Sequence, residues 1–170
     1  MDERTNVVAV LVSNPALSSI LTMVLVSVPS LRVRAFESQL ALTTYMRLAP
    51  VDLIVSDFDC DTSPADRVAR DLRANDMLES HDFQIIALAT YVTPEMNDAS
   101  ITSGIDEIIL KPMSPKYLLD RVLTRLRRGA IPVPAPVRLQ DHPPHAPGPL
   151  ILSYHNNVVP LFGRRFEPLH

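Results

Sequence analysis

Residues 51–61 read VDLIVSDFDCD. Leu53-Ile54-Val55 is an unbroken apolar run, the mark of a strand covered on both faces in a parallel sheet. The run ends on Ser56-Asp57, with further acids at Asp59 and Asp61. A carboxylate at the C-terminal end of such a strand points into the crevice where open α/β sheets take their ligands. Taken alone, a strand-end aspartate more often caps the next helix or sits solvated in a loop. The pattern on either side of Asp57 changes that balance.

Upstream, Val7 to Val12 is another unbroken apolar strand, followed by Asn14 as a helix N-cap and Pro15 at the first helical position. Leu17, Ile20, Leu21, Val24, Leu25 and Val28 then recur at helical spacing. The other face (Ser18, Ser19, Thr22, Met23, Val26) carries no charge, which marks either a contact surface or a merely bland one. Arg32 to Phe36 alternates like a strand nearer a sheet edge. Ser38 caps a second helix through Arg47, with Leu40, Ala41, Tyr45 and Leu48 expected inward, and Pro50 stops it. Downstream, Ser63-Pro64 repeats the cap-then-proline start and opens a helix with Val68, Ala69 and Leu72 on one face. Phe83 to Ala89 is a fourth apolar strand, and Thr93-Pro94-Glu95 begins a short helix that ends at Gly104. Glu107 to Leu110 is a fifth strand, and Ser114-Pro115 opens a fifth helix with Leu118, Leu119, Val122, Leu123 and Leu126 inward. Five strands alternating with five helices predict an α/β, doubly wound, five-stranded parallel sheet with right-handed crossovers, complete within residues 1–129.

The last 41 residues hold 9 of the 16 prolines and are expected to be a largely irregular tail. Residues 130–149 read as a Pro-rich linker. Residues 150–170, LILSYHNNVVPLFGRRFEPLH, are apolar again, carry Arg164 and Arg165, and read as a docking peptide for this domain, a second copy or a target.

Composition narrows the function. A net charge of −3 over 170 residues gives no general surface for nucleic acid or membrane. Cys60 is the only cysteine, which excludes an internal disulfide and a cysteine metal cluster and fits a reducing cytoplasm. Its place near Asp57 leaves a redox role imaginable beside the plainer reading of a packed thiol. Thr5 to Leu31 holds 27 residues without a charge, but Ser13-Asn14-Pro15 splits them into a strand and a helix, so no membrane insertion is expected. Ser13-Asn14-Pro15 also lacks the glycines of a phosphate-cradling loop, which disfavours dinucleotide and P-loop enzymes. His142 and His145 lie in the proline-rich stretch, where solvated side chains are a better reading than metal ligands. No helix-turn-helix or catalytic output unit is recognisable after residue 129, so direct contact with nucleic acid is not expected.

With Asp57 ending the third strand, Lys111-Pro112 leaving the fifth and Gly104 a few residues earlier, residues 6–128 resemble the receiver domain of bacterial two-component response regulators. The resemblance implies a flavodoxin-like (βα)5 fold and an atypical stand-alone response regulator that is not an enzyme beyond its own phosphorylation and slow dephosphorylation. Asp57 would be the phosphoacceptor and Lys111 its electrostatic partner, with Lys111-Pro112 a cis peptide. The implied partners are a histidine kinase or phosphotransfer protein and a downstream protein target, with a homodimer through the fourth and fifth helices left open. The physics agrees, since a carboxylate is a competent nucleophile toward phosphorus and the transition state needs fixed positive charge nearby.

The departures from that family are specific. Its two acids after the first strand, which help hold Mg²⁺, fall on Val12 and Ser13. Its hydroxyl after the fourth strand falls on Ala89, with Thr90 one residue late, and its aromatic rotor falls on Ile108. A metal site would rest on Asp57, Asp59 and Ser13, with Asp59 either contributing or solvated. The competing reading is therefore a pseudo-receiver, a binding module that works without phosphoryl chemistry.

Overall fold

The computed structural model describes residues 5–129 and Val158–Val159. Strands and helices alternate as β1 (Asn6–Leu11), α1 (Pro15–Val26), β2 (Leu31–Ala35), α2 (Gln39–Met46), β3 (Leu53–Asp57), α3 (Ala65–Arg73), β4 (Gln84–Ala89), α4 (Pro94–Ser103), β5 (Glu107–Leu110) and α5 (Pro115–Gly129). The five strands are parallel, in the order β2-β1-β3-β4-β5, as the sequence pattern implies. A further strand, β6 (Val158–Val159), lies antiparallel on β5, with Val158 opposite Ile109 and Val159 opposite Ile108. The sheet is thus six-stranded, and the tail contributes one short strand that its proline content had argued against. The rest of residues 130–149 and 150–170, with the linker and docking-peptide readings, lies outside the described residues.

Alternate residues of each strand serve opposite faces, as the period of two requires. Ala9, Ile54, Ile85, Ala87 and Ile108 pack with Leu42 and Met46 of α2 and with Val68 and Leu72 of α3. Val8, Val10, Val55, Ile86, Leu88 and Ile109 pack with Leu21 and Leu25 of α1 and Leu118 and Val122 of α5. No helix among the described residues is long and apolar enough to cross a membrane.

The helix starts follow their caps. Asn14 accepts from the Ala16 and Leu17 amides at 3.0 and 3.1 Å, with Pro15 at the first turn. Ser38, Thr93 and Ser114 do the same for α2, α4 and α5. Ser63 does not: Pro64 occupies the cap position of α3 with no side-chain bond, and the Ser63 hydroxyl lies 3.5 Å from the Cys60 sulfur. Gly104 closes α4 at φ 82°, where a side chain would be strained. The inward face of α2 also differs from its reading. Leu40 and Leu48 are 76% and 80% exposed, whereas Leu42 and Met46, four apart, are buried.

At the N-terminal edge of the sheet, carboxylates replace missing ladder partners. Asp52 Oδ2 accepts the Val7 amide at 2.7 Å and Asp106 Oδ2 accepts the Ile85 amide at 2.8 Å. Glu107, whose side chain is 1% exposed, is held by Arg121 through both carboxylate oxygens and by Arg125 Nε at 2.6 Å. Arg73 lies over the Phe83 ring at 4.2 Å and donates to the Phe83 and Gly104 carbonyls, which ties α3 to the start of β4 and the end of α4.

Because β6 meets the domain through two paired residues, removing 130–170 is expected to leave the thermal midpoint of the remainder nearly unchanged. A fall of about 10 °C or more, several kcal/mol for a domain of this size, would make the tail part of the core instead.

Candidate functional site

The strand register sets the site. Leu11 pairs with Ser56, Asp57 with Leu88, and Ala89 with Leu110, so the four strands β1, β3, β4 and β5 end at one level. The residues that follow (Ser13, Asp59, Thr90 and Lys111) therefore meet above the C-terminal edge of the sheet. The order reverses between β1 and β3, and such a switch point opens a crevice in a doubly wound sheet.

Asp57 is 3% exposed and fully engaged. Its Oδ1 receives Lys111 Nζ at 2.8 Å and the Asp59 amide at 3.2 Å, and its Oδ2 receives the Ser13 hydroxyl at 3.0 Å. Lys111 does not serve Asp57 alone, for the same Nζ stands 2.8 Å from Asp59 Oδ2. That oxygen also accepts the Thr90 amide at 2.8 Å and the Thr90 hydroxyl at 2.6 Å. One ammonium thus lies between two carboxylates. Partial burial works against charge on Lys111, but hydrogen bonds and the charges of Asp57 and Asp59 outweigh it and hold the amine above its ordinary range. Burial likewise pushes Asp59 up, and bonds from Lys111 and Thr90 more than reverse it, leaving the carboxyl below the usual range. The Lys111–Pro112 peptide is cis, and the Lys111 amide donates to the Ala89 carbonyl at 2.8 Å, which fixes where the side chain leaves the sheet.

Of the residues expected at the site, Asp57, Lys111, Ser13 and Asp59 form one bonded group, and Thr90 joins it through Asp59 rather than through Asp57. Asp61 is exposed on the wall of an adjoining cleft of about 540 Å³, which Asp59, Thr90, Tyr91 and Met96 also line. Cys60 is half-buried against Thr62 and Ser63, and their hydrogen bonds lower its thiol pKa despite burial, which pushes the other way. Ile108 is fully buried in the sheet. The clamp of Thr90 on Asp59 leaves no signal in the sequence, since it joins residues 31 apart and only the register of β3 and β4 brings them together.

Mg²⁺, which the resemblance implies, does not fit these residues as they stand. Val12 is buried hydrocarbon, Ser13 brings a neutral hydroxyl already donated to Asp57, and Lys111 takes the space between the two carboxylates. A hard divalent ion gains most from full anionic oxygens, and no group of three or more His, Cys, Asp or Glu side chains is placed to hold a metal among the described residues.

The sequence matches no family model and no curated protein. Solved structures do match it across this same body. A response regulator from Thermotoga maritima is 24% identical, with a TM-score of 0.61 over 72% of this chain and 98% of that one. The chemotaxis protein CheY4 of Vibrio cholerae is 17% identical, with a TM-score of 0.63 over 71% of this chain and 98% of its own. The fold is that of a response-regulator receiver domain. A CheY-like receiver domain protein from Methanospirillum hungatei, 14% identical, superposes with a TM-score of 0.65 over 74% of this chain and 96% of that one. In this fold Asp57 is the last residue of β3 and Lys111 directly follows β5.

Proposed function

We propose that this chain is an atypical signalling receiver of the cytoplasm, which accepts a phosphoryl group on Asp57 and acts through protein–protein contact. The observation that supports the reading is the contact of the buried Asp57 with the half-buried Lys111 at 2.8 Å, at the strand-end crevice of a receiver fold. The donor is a histidine kinase or phosphotransfer protein, and the receiver of the signal is a protein target or a second copy of this chain. No reaction on an outside substrate is involved. An Asp57 oxygen forms the new bond to phosphorus, and the donor's bond to phosphorus breaks. The donor keeps that electron pair and takes a proton from solvent, and Asp57 becomes an acyl phosphate. Lys111 offsets the charge that builds on the phosphoryl oxygens.

A second reading, a pseudo-receiver that signals through partner association alone, is favoured by Val12 and Ser13 and by the capture of Thr90 by Asp59. Intact-mass measurement after incubation with an acyl phosphate separates the two. The expected result is a gain of one phosphoryl group that Asp57→Asn abolishes. No gain in the wild type favours the pseudo-receiver, and a gain that persists in Asp57→Asn places the acceptor elsewhere.

A further inference from the structure

Three donors converge on a single oxygen of Asp59. They are the Thr90 amide at 2.8 Å, the Thr90 hydroxyl at 2.6 Å and Lys111 Nζ at 2.8 Å. A backbone N–H, a hydroxyl and an ammonium aimed at one point form a cradle for an oxyanion of any kind, since each donor recognises negative oxygen rather than a carboxylate in particular. The oxygen that fills it belongs to the loop directly after β3, two residues from Asp57. We propose that Asp59 is an intramolecular plug, and that withdrawing its carboxylate converts the Thr90–Lys111 cradle into a binding site for a tetrahedral oxyanion of the phosphate class.

Two further features support the plug. Asp59 and Thr90 both line the cleft of about 540 Å³, so the cradle opens onto space that a tetrahedral anion can enter once the carboxylate leaves. The charges also point the same way. With Asp57 and Asp59 ionised against one Lys111, the cluster is net negative and repels a phosphate. Without Asp59 it is neutral, and the ammonium has one carboxylate fewer to satisfy. An anion tethered next to its own donors competes at high effective concentration, so a free anion in dilute solution does not displace it. The inference deepens the phosphoacceptor reading, because a phosphoryl group on Asp57 would contend with Asp59 for the same donors. It does not depend on Asp57 acting as a nucleophile.

The test is a titration of inorganic phosphate against the full chain and Asp59→Ala, at constant ionic strength and with chloride as control. Binding is read by amide chemical shifts at Thr90 and Lys111. Asp59→Ala is expected to bind at least about tenfold more tightly than the wild type, the size of one charge-assisted hydrogen bond. Asp59→Ser, which keeps a small polar side chain in this exposed loop, should behave like Asp59→Ala. Adding Lys111→Met to Asp59→Ala should abolish the gain, and adding Asp57→Asn should increase it by removing the carboxylate that shares the Lys111 ammonium. Equal phosphate affinity in wild type and both Asp59 variants overturns the plug, as does a gain that survives Lys111→Met. Failure of acyl phosphate to label the protein, with phosphate binding in Asp59→Ala intact, would overturn only the phosphoacceptor reading.

Discussion

Replacing Arg121 and Arg125 together by methionine is expected to lower stability at neutral pH by about 3–5 kcal/mol, because it leaves the Glu107 charge buried without a partner. For a domain of this size that is a fall in thermal midpoint of roughly 10–20 °C. Glu107 stands at the first position of β5, 1% exposed, and both arginines reach it from successive turns of α5. The pH dependence should change sign with the substitution. In the wild type burial pushes the Glu107 carboxyl up, but the hydrogen bonds from Arg121 and Arg125 outweigh it, so the folded pKa lies below the ordinary 4.5. The stability this provides is complete above that ordinary value and is lost as pH falls through the lower folded one. In the double variant only burial remains, so the folded pKa lies above the unfolded one and acidification through it relieves the penalty. Urea melts at pH 7 and pH 5 should therefore converge for the two proteins at the lower pH. An undiminished gap at pH 5, or no gap at pH 7, would show that the ion cluster is solvated and contributes little.

This cluster also marks a limit of what the sequence discloses. The strand Glu107-Ile108-Ile109-Leu110 declares itself by its apolar run, yet nothing in it says that the glutamate faces protein rather than water. The available signal was the spacing of Arg121 and Arg125, four apart on a helix known to cross back over that strand. The same limit explains α2. Leu40, Leu42, Tyr45 and Met46, with Leu48 just past its end, surround much of the helix, so the period admits more than one inward face. Docking on the sheet selects Leu42 and Met46, and leaves Leu40 and Leu48 in water. By contrast, strands with uninterrupted apolar runs, and helices opened by Asn14-Pro15 or Thr93-Pro94, were legible, because burial on both faces and cap chemistry are local requirements. Asp57 and Lys111 were legible for a related reason: each ends a strand, and strand ends of a parallel sheet share one edge. The bond from Ser13 to Asp57 and the clamp of Thr90 on Asp59 depend on loop paths across three strands. Only the three-dimensional register fixes those paths.

Lys111→Met should expose the second large electrostatic dependence of the fold. The ammonium is 2.8 Å from both Asp57 and Asp59, and methionine keeps the length of the side chain while removing its charge. Asp57, 3% exposed, then faces Asp59 with only the Ser13 hydroxyl and the Asp59 amide to stabilise its anion. The expected loss at pH 7 is about 3 kcal/mol, at the lower end for breaking a buried pair, because Asp59 keeps its Thr90 bonds and partial access to water. Two controls separate charge from packing. Asp57→Asn in the Lys111→Met background should restore part of the stability, giving a coupling energy of opposite sign to the two single losses. Acidification should restore stability as well. Without the lysine the two carboxylates face each other with no cation between them, and neutralising either one in acid removes that repulsion. In the wild type the lowered pKa of Asp59 works the other way, its contribution fading only as the carboxylate is protonated in acid. If Lys111→Met melts with the wild type at pH 7, or if Asp57→Asn makes it less stable still, the lysine is a solvated surface group. In that case the Asp57–Lys111 pair cannot be the electrostatic centre of the site.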